Sequence, residues 1–225
     1  DIWKVGGDRL RWAAVLPLRS MDEALKELEF VLHYGACAVF VPGLIGDRRL
    51  SDPYFTPLYD ALSNANIPLC VHSGTGSFTQ HDLFFDEPGF NKFKLAVVGA
   101  FHSVFWDRVP ERFPKLRIGF IEVSAQWVPY VFHDLAKRFQ QKRGIELSRS
   151  LLKDNRVFVA CQTDDDLDYV LKYTGDDTII IGTDYGHNDT SSEIEALQKL
   201  KDDGKVSAAS VTKILDDNPR ALYGL

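Results

Sequence analysis

With 225 residues, 45% of them hydrophobic, the chain has enough apolar material for the core of one large domain. Its formal net charge of −6 leaves neither a basic stripe for nucleic acid nor a polybasic patch for anionic lipid, so neither nucleic acid nor a membrane is an expected partner. Cys37, Cys70 and Cys161 are odd in number and set in or beside apolar runs too short to span a bilayer, and the amino end DIWKVGGDRLRW lacks signal-peptide organisation, so a soluble cytoplasmic protein with reduced thiols is expected.

Taken in chain order, strand-length apolar runs alternate with helical patterns. RWAAVLP (11–17) reads as the first strand, and the S-x-x-E capping box of Ser20 and Glu23 opens a helix with Leu25, Leu28 and Leu32 on one face and Gly35 at its end. ACAVFVP (36–42) is the second strand, after which Asp52 and Pro53 suit the N-cap and first position of another helix. IPLCVH (67–72) is the third, followed by the turn Gly74-Thr75-Gly76, a weak phosphate-loop signal whose ordinary reading is a flexible loop. LRIGFIE (116–122), RVFVACQ (156–162) and TIIIGTD (178–184) complete six runs, with Gly144, Gly175 and Gly204 placed to end the later helices. The runs are rich in Val and Ile and do not alternate with polar residues, which is the pattern of parallel strands buried on both faces. No repeat, low-complexity tract or linker divides the chain. The alternation suits an open doubly wound sheet or a (β/α)8 barrel, and no G-x-G-x-x-G turn follows the first strand to favour the former.

The carboxyl ends of these strands carry polar groups: His72, Glu122, Gln162 and Asp184. In TIIIGTDYGHND, four β-branched residues run through Gly182, a position that permits close backbone approach, straight into Asp184. Any one such group has a structural explanation, as a helix cap or a loop anchor. Three ionisable ends on buried strands are harder to explain so, because an unpaired buried charge costs several kcal/mol. An imidazole and carboxylates are ligands for zinc and similar divalent ions, which turn water into a nucleophile near neutral pH, and a neighbouring carboxylate can move its proton.

PLCVHSG (68–74), RFPKLRIGFIE with WVPY (112–130), GTDYGHND (182–189) and DNPRALYG (217–224) together resemble the amidohydrolase-2 family, related to aminocarboxymuconate semialdehyde decarboxylase within the amidohydrolase superfamily. The resemblance implies a metal-dependent (β/α)8 barrel that hydrolyses or decarboxylates a small carboxylated or cyclic substrate, commonly with zinc. It implies that His72 is the fifth-strand metal ligand and that Asp184 is the eighth-strand ligand and proton acceptor. Glu122 stands where many relatives have a sixth-strand histidine, which makes it a second catalytic candidate. His187 and Trp127 fall where they could contact substrate, whereas Tyr130, His33, His102 and His133 read as packing or surface residues. The family's first strand ends in His-x-His, and no His-x-His occurs here. Residues 1–225 are therefore expected to be one N-terminally truncated barrel domain containing strands three to eight, whose open sheet edges invite pairing with a second copy. The competing reading is a non-catalytic barrel that binds or scaffolds after losing its metal site.

Overall fold

All six apolar runs form strands of one parallel sheet in a computed structural model that describes residues 5–188 and 192–225. In chain order the strands are β1 (Ala13–Val15), β2 (Ala38–Pro42), the short antiparallel pair β3 (Leu44–Ile45) and β4 (Arg48–Arg49), β5 (Leu69–His72), β6 (Ile118–Ile121), β7 (Val157–Cys161) and β8 (Ile179–Ile181). The parallel sheet runs β1-β2-β5-β6-β7-β8, each member beside its predecessor. The register aligns Pro42, His72 and Ile121 across three strands and Cys161 with Ile181 across two more. That alignment puts the residues that follow the strands along one edge.

Side chains alternate between the two faces of each strand, and the faces are covered differently. One face meets the helices Met21–His33, Thr56–Ala65, Ala96–Trp106, Val128–Arg143 and Leu167–Thr174 and forms the larger core around Val39, Val71, Phe120 and Val159. The other face carries Ala38, Cys70, Phe158, Ala160 and Ile180, and Leu222 of the helix Asn218–Tyr223 packs on it. A Cβ at Gly119 would lie 3.0 Å from Leu222 Cδ2, so glycine makes the seat for that leucine. Arg117, just before β6, donates through Nε to the Leu222 carbonyl at 2.6 Å and through a second nitrogen to the Asn66 carbonyl at 2.7 Å. The last helix thus closes the amino end of the strands and leaves the carboxyl end open. Burial on this face pushes the Cys70 thiol up to about 12, the value Cys161 also reaches, so neither is a thiolate near neutral pH.

Among the described residues β1 and β8 each pair on one side only, and Val15 on β1 is exposed, so the sheet is open there. The local expectations meet two corrections. Ser20 accepts the Glu23 amide at 3.4 Å, but the Glu23 carboxylate binds Lys26 at 2.8 Å and does not return to the cap. Gly182 has open space where a Cβ would be, whereas at Gly76, in the Gly74-Thr75-Gly76 turn, a Cβ would lie 2.2 Å from the Leu44 carbonyl oxygen, so close backbone approach belongs to that turn. Among the described residues no helix is long and apolar enough to cross a membrane.

Candidate active site

The two carboxylates expected to act, Glu122 and Asp184, share a backbone feature. Both are non-glycine residues with left-handed dihedrals, φ +64° and +49° respectively. An L-residue pays roughly 1–2 kcal/mol for that conformation, and strain of this kind is held in place by surrounding contacts at functional positions. Behind Glu122 the support is visible. Asp165, buried in the loop after β7, accepts the Ala125 and Gln162 amides at 2.8 Å each and the Ser124 hydroxyl, tying the segment after β6 to the end of β7.

His72, the last residue of β5, contacts the Ser73 carbonyl oxygen through Nδ1 at 3.1 Å and the Glu122 carboxylate through Nε2. The other oxygen of Glu122 accepts the Ser73 hydroxyl at 3.0 Å. Asp184 Oδ1 lies 2.8 Å from His187 Nδ1. Glu122, Asp184 and His187 each offer one ligand atom within 4.8 Å of the others, and His72 adjoins the trio through Glu122. The hydrogen bond to Glu122 raises the His72 pKa against the opposing effect of burial. Burial pushes the Glu122 carboxyl upward, but the His72 and Ser73 hydrogen bonds and the nearby His187 outweigh it and hold the group below its ordinary value.

Two cavities meet at this cluster. The inner one, about 210 Å³, has apolar walls from Ile121, Ala160, Ile180, Pro219 and Tyr223 beside the polar groups His72, Glu122, Gln162 and Asp184. The outer one, about 830 Å³, shares His72 and Glu122 and adds His187, Asn188, Phe90, Phe93 and Lys94. The donor set fits a divalent cation. Two carboxylates and the His187 imidazole converge, and beside them His72 donates through Nδ1 to the Ser73 carbonyl and turns Nε2 toward Glu122.

The structure therefore brings together His72, Glu122, Asp184 and His187. It does not bring Trp127, whose indole donates to the Ser124 carbonyl at 2.7 Å and packs on Phe101 with ring centroids 5.0 Å apart, in the helix-side core and outside both cavities. Aromatic size and a nearby loop gave that residue its expected role, and the need to fill the space between helix and sheet decides its position. Tyr130, His33 and His133 are exposed, and His102 meets Asp134 at 3.2 Å on the helical layer. Asp189, at the end of the GTDYGHND stretch, lies outside the described residues. Tyr223 and Pro219 arrive from the far end of the chain, and Lys94 from the excursion between β5 and β6. No strand-end pattern marks these three. Gln162 Nε2 is buried with no hydrogen-bond partner among the described residues, a donor left over at the cavity wall.

The family model described as Amidohydrolase matches residues 3–225. No curated protein matches the sequence. An amidohydrolase structure from Mycobacterium avium subsp. paratuberculosis is 26% identical at a TM-score of 0.72, covering 95% of this chain, which spans 57% of that one. The 5-carboxyvanillate decarboxylase of Sphingomonas paucimobilis is 15% identical at a TM-score of 0.78, covering 99% of this chain and 70% of its own. A 5-carboxyvanillate decarboxylase from Novosphingobium aromaticivorans, complexed with manganese and 4-hydroxy-3-methoxy-5-nitrobenzoic acid, is 16% identical at a TM-score of 0.80, covering 99% and 66%. At such identities the two decarboxylases show a shared fold, of which the six strands here form an open portion.

Proposed function

Because the chain belongs to the amidohydrolase family, we propose that it carries the larger part of a divalent-metal-dependent carboxy-lyase acting on a small carboxylated ring. The convergence of Glu122, Asp184 and His187 beside His72 at the open end of the sheet carries this reading. His72 Nε2 and Asp184 would hold the metal, with Glu122 beside them. A divalent cation there supplies a Lewis acid that grips and polarises the substrate's oxygens. The oxygen-rich donors suit manganese as well as the zinc expected of the family.

Loss of carbon dioxide breaks a carbon–carbon bond and leaves its electron pair on the ring carbon, which must take a proton. Asp184 faces the inner cavity and is paired with His187, which is more than half exposed. The pair links solvent to the interior, so Asp184 delivers the proton and His187 replenishes it. Glu122, whose carboxylate holds His72 Nε2 and is itself held by the Ser73 hydroxyl, would release that nitrogen to the metal and stay beside it. The apolar inner chamber disfavours a carboxylate and accepts neutral carbon dioxide. The neighbouring decarboxylases support this choice over hydrolysis. The working partner is a small molecule, and a second copy of the chain at the open sheet edges is the expected protein partner.

The test is a metal count on purified protein, followed by carbon dioxide release from 5-carboxyvanillate as probe. Stoichiometric zinc or manganese, lost in Asp184→Asn, is the expected result. Metal-free protein sinks the proposal in favour of a binding barrel, and metal-loaded protein that releases no carbon dioxide from the probe counts against the lyase and for a hydrolase.

A further inference from the structure

The outer cavity contains a cation that the metal chemistry leaves unused. Among the described residues Lys94 is the one lysine or arginine lining it, and its ammonium makes no ion pair or hydrogen bond with any of them. Lys92, two residues earlier, is engaged: it donates to the Phe85 carbonyl at 3.0 Å and lies 5.9 Å from the centre of the Phe93 ring. Lys94 is half-buried beside Phe90 and Phe93, where an ammonium loses hydration with nothing in return.

The segment that carries it is built to stay in place. Phe90–Leu95 is a π-helical turn, a geometry frequent at functional sites. The Glu87 carboxylate accepts the amides of Gly89, Phe90 and Asn91 at 3.1, 2.8 and 3.1 Å. Gly74, two residues beyond the end of β5, donates to the Phe93 carbonyl at 2.9 Å, which locks the turn to the strand bearing His72. Lys94 is thereby held in the same cavity as the candidate metal ligands.

We infer that Lys94 is a specificity-determining residue that selects ligands with a flat apolar body and a second acidic group, distinct from the group held at the metal cluster. This rests on the metal reading above. The ring packs against Phe90 and Phe93, and the remote acid forms a charge-assisted hydrogen bond with Nζ. A cavity that already holds two carboxylates would otherwise repel a doubly charged ligand; a metal and Lys94 together reverse that balance.

The experiment is calorimetric titration of the purified, metal-loaded protein with isophthalate and terephthalate and with the monoamide of each, which keeps the shape and removes one charge. The parent should bind at least one diacid about tenfold more tightly than its monoamide, the discrimination one charge-assisted contact supplies. Lys94→Met should erase that preference and Lys94→Arg should keep it, with metal content equal in all three. A preference that survives in Lys94→Met, or a parent that prefers neither diacid, overturns the inference. Metal content is read independently: a parent without metal defeats the lyase proposal, whereas a metal-loaded parent with no Lys94-dependent preference defeats only this inference.

Discussion

The two ends of the sheet solve the same problem in opposite ways. At the amino end, Asp176 and Asp177 are answered by lysines: Lys213 binds both, at 2.8 and 2.7 Å, and Lys153 binds Asp177 at 2.7 Å. Leu222 fills the interior there over Gly119, and Arg117 ties down its carbonyl. At the carboxyl end, Glu122 and Asp184 sit in left-handed backbone and are answered by imidazoles, and Gln162 Nε2 finds no hydrogen-bond partner among the described residues. Lysine stays protonated at any ordinary pH, whereas histidine changes charge near neutrality and gives up its proton to a metal. One end is therefore fixed by packing and permanent charge, and the other holds groups able to exchange protons and ligands.

The sharpest way to break this contrast is at Asp184. Asp184→Asn should lose the metal together with an acid–base group, and so lower turnover by at least the about 10²–10⁴-fold of the latter, with the fold intact by circular dichroism. Glu122→Gln keeps the shape and one acceptor, and should cost about 10–100-fold, as for a group that orients a ligand. Parental activity in Glu122→Gln would make that carboxylate structural and shrink the functional end to Asp184, His187 and His72.

The amino end should respond in stability instead. Leu222 is fully buried, so Leu222→Ala should lower unfolding free energy by about 2–5 kcal/mol in denaturant titration. Gly119→Ala places a methyl 3.0 Å from Leu222 Cδ2 and should cost about 1–3 kcal/mol by overpacking. Both variants should keep the parent's metal content under native conditions. If either loses it, the two ends are coupled through the inner cavity and the contrast fails.

Much of this contrast is readable from residue order. Apolar runs such as VFVAC and TIII place the parallel strands because burial on both faces demands unbroken hydrophobicity, and the polar residues that close each run land at one edge. His72, Glu122 and Asp184 follow from that logic alone. Trp127 does not, since an aromatic near a strand end serves core and cavity equally well and only packing decides. Lys94, Tyr223 and Pro219 reach the cavities from segments distant in sequence or irregular in backbone, where periodicity has nothing to report. Asp165 is one of three consecutive aspartates, and its burial depends on amides supplied by the loop after β6 and by the end of β7.

The smallest expected effect lies in the acid limb of stability, and it separates the two ends by charge. Asp176 is held below its ordinary pKa chiefly by the hydrogen bond from Lys213, and Asp177 by hydrogen bonds from Lys153 and Lys213. A depressed folded-state value means that the native protein binds fewer protons than the unfolded chain between the two values. The stabilisation is complete above the unfolded aspartate pKa of about 3.9 and is lost as pH falls through the depressed native values. Glu122 is depressed as well, so it adds a loss of the same sign from the other end. Lys213→Met should flatten the fall in stability from about pH 5 downward while leaving turnover at neutral pH unchanged. Glu122→Gln should flatten it too, but with lost turnover. The measurement is unfolding free energy against pH for parent and both variants. An acid limb untouched by Lys213→Met would mean that the lysine contributes no net stability at these half-open positions, and that packing by Leu222 alone distinguishes the amino end.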